Sequence, residues 1–248
     1  MAATGVRVAV VTGAAGGIGS AICGRLAHAG FRVVLTYRAR KDKARALADA
    51  LPGDGHLVVQ AAVDDSASLT ALAEKVAAHY GSLELLVNNA GITRFVAHDD
   101  LNALDDALID QIFRVNWRGA FACVRALEAL LRADGGGVVV NISSLAATTG
   151  EGSNVAYCAA KAALDSMTRS LARALAPDVR VVSVSPGLTA GRYTDKLDAD
   201  WSQAQADRTP LKRLATAEDV AEAVFAVATQ LTFSTGCIIP VDGGRPLS

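Results

Sequence analysis

Cysteine and histidine are scarce in this sequence, and neither is spaced to cross-link the chain or to bind metal. The 248 residues include four cysteines without C-x-x-C spacing and four histidines without metal-ligand spacing. We interpret Cys23, Cys123, Cys158 and Cys237 as reduced, mostly buried thiols of a cytoplasmic protein. We therefore expect neither a disulfide nor a metal site.

An excess of one charge and a long apolar run are also missing. The formal net charge is −1, which predicts no attraction to nucleic acid or to an anionic membrane. No apolar run reaches the roughly 18 residues of a membrane span, and the N-terminus lacks the pattern of a signal peptide. Hydrophobic residues make up 51% and charged residues 20%, which is typical of a globular protein, and the length fits one α/β domain over 1–248.

Short apolar runs alternate with amphipathic stretches along the chain, which predicts a single-domain Rossmann-type α/β fold. We expect a doubly wound parallel sheet of about seven strands with helices on both faces. Strands are predicted over Val6–Val11, Arg32–Thr36, His56–Val63, Leu83–Val87, Val138–Ile142, Arg180–Ser185 and Cys237–Val241. Helices are predicted over Ile18–Ala29, Lys41–Leu51, Ser66–Tyr80 (capped by Ser66), Leu104–Leu131 (one helix or two joined), Ser153–Leu175 and Ala217–Ala228.

Three glycines, Gly13, Gly17 and Gly19, lie between the first predicted strand and the first predicted helix. Glycine tolerates the positive φ of a tight turn and lets a phosphate approach the backbone. The N-terminus of the following helix offers unpaired N–H groups and the positive end of the helix dipole. At the first turn of a doubly wound sheet, this pattern predicts a dinucleotide site.

A second candidate cluster lies between the fifth predicted strand and the Ala-rich helix that follows it. Tyr157 and Lys161 are four residues apart, so they share one helix face. A tyrosine has a pKa of about 10, and a nearby ammonium lowers that pKa. Ser144 adds a hydroxyl at the end of the strand. These groups would form a neutral-pH acid/base beside a hydrogen-bond donor, as reduction of a carbonyl or oxidation of an alcohol requires.

With these clusters, the sequence resembles the short-chain dehydrogenase/reductase family over nearly its whole length. The combination of motifs in this order is highly specific. Two further stretches, N-N-A-G-I-T-R at Asn88–Arg94 and T-P-L-K-R-L at Thr209–Leu214, are similar to the 3-oxoacyl-carrier-protein reductase branch. The motifs that carry the family resemblance are T-G-A-A-G-G-I-G at Thr12–Gly19, N-N-A-G at Asn88–Gly91, Asn116, the set of Ser144, Tyr157 and Lys161, and P-G at Pro186–Gly187.

The resemblance implies reversible hydride transfer between C4 of a nicotinamide and a carbonyl carbon. Tyr157 would move the proton of the substrate oxygen. Lys161 would lower the pKa of Tyr157 and bind the nicotinamide ribose. Ser144 would stabilise the charge on the substrate oxygen, and Asn116 would hold a water that links Lys161 to solvent. The cofactor carries the redox chemistry.

The resemblance also implies a set of cofactor contacts, with two departures from the family pattern. Near the end of the third strand many members have an acidic residue, where this chain has Ala62. The adenine contact then falls to the backbone of Val63, with Asp64 as an alternative. Gly191 replaces a threonine and weakens one expected contact. The implied cofactor contacts are Gly13, Ala15, Gly17, Ile18, Gly19, Tyr37, Arg38, Val63, Asn89, Ala90, Gly91, Tyr157, Lys161, Pro186, Gly187 and Thr189.

The end of the second strand indicates NADP(H) rather than NAD(H). About 20 residues after the Gly-rich turn, an Asp or Glu would bind the ribose 2′-OH of NAD, but this chain has Tyr37, then Arg38 and Arg40. Arg38 would suit a 2′-phosphate; a solvated arginine cluster at the start of a helix is the alternative. Gly16 lies where many NADP-binding relatives have a second basic residue, so the expected preference is moderate.

The substrate is expected to be a small molecule with a carbonyl or an alcohol, either a 3-oxoacyl thioester or a small ketone. A carrier-bound substrate is not favoured by charge, because the candidate docking surfaces Ala133–Gly137 and Ala176–Asp178 lack clustered basic residues. The stretch Leu188–Lys212 has weak periodicity next to the nicotinamide contact, which indicates a lid over the substrate. An ordinary pair of surface helices is the alternative.

The sequence also predicts a homotetramer. The helices predicted over Leu104–Leu131 and Ser153–Leu175 have more apolar residues than one sheet face needs to cover, and the C-terminus is apolar as well. In relatives these surfaces pack between subunits around two-fold axes. The helix residues on which this prediction rests are Ile112, Phe113, Phe121, Leu164 and Met167.

Two other functions remain open from the sequence. A cofactor-loaded sensor could keep this fold without turnover, although a sensor has no need of the acid in the set of Asn116, Ser144, Tyr157 and Lys161. An epimerase or dehydratase could use the same Tyr and Lys. Those relatives usually have G-x-x-G-x-x-G and a longer C-terminal region, and this chain has neither.

Overall fold

A parallel sheet of seven strands is the central element of the computed structural model, which describes residues 6–191 and 199–247. Every pair of neighbouring strands is parallel, which confirms the predicted fold class. The spatial order of the strands is 3-2-1-4-5-6-7. They are β1 (Val8–Val11), β2 (Arg32–Tyr37), β3 (Leu57–Gln60), β4 (Leu85–Asn88), β5 (Gly137–Ile142), β6 (Val179–Pro186) and β7 (Ile238–Val241).

Helices cover both faces of this sheet. The helices are α1 (Gly17–His28), α2 (Lys41–Ala50), α3 (Ser66–Tyr80), α4 (Asp106–Phe113), α5 (Gly119–Arg132), α6 (Ala146–Thr149), α7 (Val155–Leu175), α8 (Ala199–Arg208) and α9 (Ala217–Thr229). One apolar layer lies between the sheet and α3, α5 and α7. The other lies between the sheet and α1 and α9. The sheet is therefore buried on both sides.

The strand β1 shows why its sequence is apolar at every position. Val8 and Val10 point to the layer of α3, α5 and α7, whereas Ala9 and Val11 point to the layer of α1 and α9. All four residues are buried. Successive side chains of a strand point to opposite faces, so a strand covered on both sides reads as a continuous apolar run.

The strand order reverses at β1, which lies between β2 and β4. Val11 at the end of β1 pairs with Val87 of β4, so the turns that follow these two strands lie side by side. In open α/β sheets, ligands bind in the crevice beyond the carboxyl ends of the strands at such a reversal. The fold thus brings the Gly-rich turn next to the N-N-A-G motif.

The long helix predicted before β5 is interrupted. After α4, residues Arg114–Arg118 form a π-helical turn, and α5 continues from Gly119. Turns of this kind occur mostly as single bulges inside α-helices, frequently at functional sites. Periodicity over the whole stretch predicts one helix or two and has no signal for a one-turn change of pitch.

Helix α3 begins as predicted, but the predicted cap is wrong. The capping side chain is that of Asp65, whose Oδ1 accepts hydrogen bonds from the backbone N–H groups of Ala67 and Ser68 at 3.0 and 3.4 Å. Ser66 is the first helical residue. Asp and Ser are both good N-cap residues, so the sequence A-V-D-D-S offers neighbouring candidates and the chain geometry selects one.

The stretch Leu188–Lys212 contains one helix, α8, whose bounds its weak periodicity did not indicate. Residues 192–198 lie outside the described part of the chain, so the lid prediction falls partly on residues of which the structure says nothing. The short α6, after Ser144, was also not predicted. Within residues 6–191 and 199–247, no helix has the length and apolar character of a membrane span.

The five helix residues on which the tetramer prediction rested differ in burial. Ile112, Leu164 and Met167 are 0%, 1% and 7% exposed, so they are already buried within the single chain. They pack between α4, α5 and α7 because these helices contact each other as well as the sheet. Phe113 is partly buried, and Phe121 remains 37% exposed.

Candidate active site

The Gly-rich turn is shaped so that two of its glycines admit no side chain. Gly13 has a φ of +64°, and a Cβ there would lie 3.0 Å from Cα of Ala90. A Cβ on Gly19 would collide with the carbonyl oxygen of Gly13. The predicted reason for these glycines, a tight turn with close backbone contact, matches this geometry.

The N-terminus of α1 faces open space above the turn. Gly17 is exposed, and no atom lies within 4 Å of a Cβ built on it. The N-cap is Gly16, and no side chain caps the first N–H groups of the helix. These N–H groups and the positive end of the helix dipole therefore suit an anion such as a pyrophosphate. Ala15 and Ile18, two further predicted contacts, are partly buried in the same turn.

The N-N-A-G motif holds this turn in place. Asn89 donates from Nδ2 to the carbonyl oxygens of Thr12 and Gly13 at 2.9 and 3.2 Å. Oγ1 of Thr12 accepts from the backbone N–H groups of Asn89 and Ala90 at 2.9 and 3.0 Å. The amide nitrogen of Asn89 is thus used inside the protein. Sequence reasoning missed Thr12, although a buried hydroxyl at the end of a strand is a signal for such a lock.

Tyr157 and Lys161 lie on one face of α7, as predicted. Nζ of Lys161 is 5.7 Å from the ring centroid of Tyr157. Lys161 is 6% exposed, and its Nζ donates to the carbonyl oxygen of Ile142, the last residue of β5, at 2.7 Å. Ser144, two residues further along, is partly exposed and accepts from the backbone N–H of Ala146 at 3.2 Å.

The helix α7 begins just before Tyr157 because Asn154 caps it. Oδ1 of Asn154 accepts from the backbone N–H of Tyr157 at 2.8 Å. Its Nδ2 donates to the carbonyl oxygen of Arg94 at 2.7 Å. Asn154 is fully buried. It was missed from the sequence, although an Asn three residues before Tyr157 is a typical capping signal.

Burial changes the acidity of Lys161. Desolvation lowers the pKa of Lys161 to about 8, and the charge of Asp165 opposes this by raising it. An ammonium is expensive to bury, so the neutral form gains relative to water. At neutral pH, Lys161 still carries its proton most of the time and can stabilise a phenolate at Tyr157.

Both ends of the Asn116 side chain are hydrogen-bonded within the protein. This residue lies in the π-helical turn and is 2% exposed. Its Oδ1 accepts from the backbone N–H of Ile92 at 2.8 Å, and its Nδ2 donates to the carbonyl oxygen of Ile92 at 2.9 Å. Asn116 therefore anchors the loop after N-N-A-G.

The P-G motif closes the site on the side of β6. A Cβ on Gly187 would lie 3.0 Å from Cα of Asp242, so the chain passes too closely for a side chain. The carbonyl oxygen of Pro186 accepts from the N–H of Leu145, next to Ser144, at 2.8 Å. Thr189 donates from its hydroxyl to the carbonyl oxygen of Gly187 at 3.2 Å.

Arg38 lies at the opposite end of the crevice, directly after β2. It is exposed, as are Ala39 and Arg40. Its carbonyl oxygen accepts from Nε2 of Gln60 at 3.1 Å. Within the described ranges, no hydrogen bond or ion pair holds its guanidinium. Tyr37, the last residue of β2, is partly buried.

Asp64, beyond the end of β3, forms an ion pair that the sequence did not predict. Oδ2 of Asp64 lies 3.8 Å from Nε of Arg114, and its carbonyl oxygen accepts from Arg118 at 3.0 Å. Val63 is buried against Gly119. The alternative contact Asp64 is thus engaged by cations of the π-helical turn.

Comparisons with known proteins agree with this site. A family model described as Enoyl-(Acyl carrier protein) reductase matches residues 13–245. The chain is 40% identical to cis-4-hydroxycyclohexanecarboxylate dehydrogenase of Sinomonas cyclohexanicum, covering 96% of both proteins. It is 32% identical to 3-oxoacyl-[acyl-carrier-protein] reductase of Staphylococcus aureus, covering 96% of this chain and 97% of that protein. The resemblance to the reductase branch is thereby confirmed.

A solved structure shows the same fold. The crystal structure titled Short-chain dehydrogenase/reductase SDR:Glucose/ribitol dehydrogenase, from Brucella melitensis, has a TM-score of 0.90 and 31% identity, with 96% of each chain covered. The family model matches nearly the whole chain, and these relatives are more than 30% identical to it. The chain belongs to the short-chain dehydrogenase/reductase family of oxidoreductases.

Proposed function

We propose that this protein transfers a hydride between NADP(H) and a carbonyl or secondary alcohol of a small molecule. The observation that carries the proposal is the buried ammonium of Lys161, held on the carbonyl of Ile142 with its Nζ 5.7 Å from the ring centroid of Tyr157. A phenol needs such a cation to act as an acid/base near neutral pH. The glycine turn at the same sheet edge fits a dinucleotide.

Tyr157 is the acid in reduction and the base in oxidation. It gives its proton to the substrate oxygen as the carbonyl becomes an alcohol, and it takes that proton back in the reverse direction. Lys161 favours the phenolate and so lowers the pKa of Tyr157. The nicotinamide, when bound, supplies or accepts the hydride.

Ser144 donates a hydrogen bond to the substrate oxygen and stabilises the charge that forms there. Its hydroxyl is partly exposed at the end of β5, where it is accessible to a ligand. Asn116 holds the loop after N-N-A-G in place, because both ends of its side chain are bound to Ile92. It is also the residue proposed to hold the water that links Lys161 to solvent.

The preference for NADP(H) rests on the end of β2. Tyr37 stands where an acidic residue would repel a 2′-phosphate and bind a ribose hydroxyl instead. The exposed guanidinium of Arg38 offers a planar pair of donors for that phosphate. The glycine turn binds the pyrophosphate, and the backbones of Val63 and Ala90 lie at the adenosine.

Among substrates, a free ketone or its alcohol is favoured over a carrier-bound thioester. The similar proteins include enzymes named for both kinds of substrate, one for a hydroxycyclohexane carboxylate and one for an acyl-carrier substrate. An acidic carrier protein needs a basic surface. Arg132 lies beside the candidate docking surfaces Ala133–Gly137 and Ala176–Asp178. Its charge is already neutralised by ion pairs with Glu128 and Asp178.

The test is turnover of NADPH with a panel of ketones, aldehydes and 3-oxoacyl thioesters. We expect oxidation of NADPH with at least one free ketone and slower turnover with carrier-bound thioesters. NADPH binding without turnover of any substrate would favour a sensor. Product formation without net oxidation of NADPH would favour an epimerase or dehydratase.

The assembly proposed is a homotetramer in the cytoplasm. Burial within one chain accounts for most of the apolar helix residues, but Phe121 is 37%, Leu231 37% and Phe233 fully exposed. These apolar side chains would be removed from water if copies of the chain pack together at them. Light scattering at micromolar concentration should give four times the mass of the chain; a monomeric mass would contradict the proposal.

A further inference from the structure

The catalytic lysine has a buried charged neighbour that the proposed mechanism does not use. Lys161 and Asp165 are 6% and 4% exposed. Among the described residues, these two are the buried side chains that carry a formal charge. They are four residues apart on α7, so they lie on one face of the helix.

Among the described residues, no direct contact neutralises either charge. The hydrogen-bond acceptor of Nζ of Lys161 is a neutral carbonyl, that of Ile142. Oδ1 of Asp165 is buried and has no hydrogen-bond partner. A buried charge without compensation is costly. Because the two charges are opposite and one helical turn apart, each is the compensation available to the other.

Other ionisable groups near α7 do not take this role. Those of α4 and the π-helical turn (Asp106, Asp110, Arg114 and Arg118) are exposed. Helix α6 has no ionisable residue, and the one of β6 is Arg180, close to its N-terminal end. Helix α5 meets α7 through the apolar cluster of Ala120, Leu164 and Met167. On α7 itself, Tyr157 also faces Lys161.

We propose that Asp165 is a positioning residue of the active site, whose negative charge keeps the buried Lys161 in its charged form. This inference rests on the proposed function, because the charged lysine is what sustains Tyr157 as an acid/base. Asp165 acts through Lys161 and has no contact with substrate. The sequence signal is the spacing K-x-x-x-D within the helix of the catalytic tyrosine.

The electrostatics of the site agree with this role. Burial lowers the pKa of Lys161 to about 8, and Asp165 is the group that raises it. Without the carboxylate, the pKa of Lys161 would fall further, toward or below neutral pH. A neutral lysine no longer favours the phenolate, so the loss of activity on raising the pH would begin at a lower pH.

The first experiment is the pH dependence of kcat for ketone reduction. In Asp165→Asn, which keeps the size of the side chain, the alkaline fall of kcat should move to lower pH by about one pH unit or more. Asp165→Glu keeps the charge and should restore most of the wild-type profile. Arg169→Gln, a control that removes an exposed charge one turn further along α7, should leave the profile in place. Coincident profiles of wild type and Asp165→Asn would overturn the proposal.

The second experiment needs no turnover. The folded-state pKa of Lys161 lies below the usual value of about 10.4, so the folded protein binds fewer protons between pH 8 and that value. The penalty for burying the charge is therefore fully present below pH 8 and is relieved as the pH rises through this range. Asp165→Asn should lower Tm more at pH 7 than at pH 10.

A double-mutant cycle then separates charge from packing. In a Lys161→Met background, Asp165 is a lone buried charge, so Asp165→Asn should raise Tm. Equal losses of Tm in both backgrounds would make Asp165 a purely structural residue and refute the inference. One outcome is that Asp165→Asn lowers Tm in the wild-type background and raises it in the Lys161→Met background while no carbonyl compound is reduced. In that case the coupling between Asp165 and Lys161 is supported and the proposed function fails.

Discussion

The Gly-rich turn after β1 presents backbone groups to a ligand, whereas the start of α7 presents side chains. Both lie at the carboxyl edge of the sheet. In the turn, Gly13 and Gly19 let the chain approach itself, and the first N–H groups of α1 have no side-chain cap. On α7, by contrast, the working groups Tyr157 and Lys161 are held by a cap at Asn154 and by the carbonyl of Ile142.

A ladder of four buried polar side chains supports α7, the helix that carries Tyr157 and Lys161. Asn88 donates from Nδ2 to Oδ1 of Asn141 at 2.9 Å, and Asn141 donates from Nδ2 to Oγ1 of Thr168 at 2.8 Å. Thr168 is 2.8 Å from Oγ of Ser183. These residues come from β4, β5, α7 and β6. The ladder therefore fixes α7 against three adjacent strands, because each buried polar group needs its partner.

The two regions would achieve specificity in different ways. A backbone site depends on shape, so it is sensitive to added volume and tolerant of changes in nearby side chains. A side-chain site depends on a few buried groups. Loss of one partner leaves the other buried without a hydrogen bond, which costs the free energy of its lost hydration. We therefore expect substitutions on the α7 side to change kcat, and substitutions on the turn side to change cofactor affinity.

The largest effect is expected for Tyr157→Phe, which tests the α7 side. The substitution removes the transferable proton and leaves the ring, so kcat should fall by at least about a hundredfold. NADPH affinity, measured by fluorescence titration of the nucleotide, should stay nearly unchanged. A variant that keeps more than about a tenth of the wild-type kcat would show that another group is the acid.

Arg38→Ala tests the cofactor side. Loss of one charge-assisted contact costs about 1.5–3 kcal/mol, which is about ten- to a hundredfold in affinity. KM for NADPH should rise by that factor, while KM for NADH stays nearly the same. Arg173→Ala, in the last turn of α7, is the matched control and should change neither value. Equal use of NADH and NADPH by wild type would contradict the cofactor assignment.

Gly19→Ala tests whether the turn works by shape. The added methyl would meet the carbonyl of Gly13, and overpacking of this kind costs about 1–3 kcal/mol of unfolding free energy. We expect KM for NADPH to rise as well. In Gly24→Ala, on the same helix α1, the methyl meets open space, and stability should rise by about 0.5–1 kcal/mol. Denaturant unfolding of both variants measures the difference; equal stabilities would remove the argument from shape.

Thr168→Val is the mildest change and tests the ladder. It keeps the volume of the side chain but leaves Asn141 and Ser183 without a shared partner. Unfolding free energy should fall by about 1–3 kcal/mol. The same substitution at Thr70, an exposed threonine that bonds only within α3, should cost far less. Similar losses at both positions would mean that the ladder adds nothing to stability.

The motifs along the chain were enough to predict the fold class and the residues that meet at the edge of the sheet. Strand–helix alternation is a local pattern, and the carboxyl ends of parallel strands always share one edge. Thus Tyr157 and Lys161 could be paired from spacing alone. The boundaries of β1 and β3 came out shorter than predicted, because hydrophobicity extends beyond the residues that pair.

Other features depend on distant parts of the chain and could not be read from it. The occupation of both ends of the Asn116 amide by Ile92 arises only when the loop after β4 folds onto the π-helical turn. The same holds for Asn89, whose amide nitrogen binds the turn of Thr12 and Gly13. In both cases the partner of the side chain was set by tertiary contact.

The sequence by itself determined which chemical groups this protein has and in what order they reach the edge of the sheet. The burial of those groups was decided only by the tertiary structure. Spacing places Asp165 one helical turn from Lys161, but only packing against α4, α5 and β6 removes both from water. Electrostatic interactions strengthen as water is excluded. The attraction between Lys161 and Asp165 is therefore strong only because the fold buries both residues.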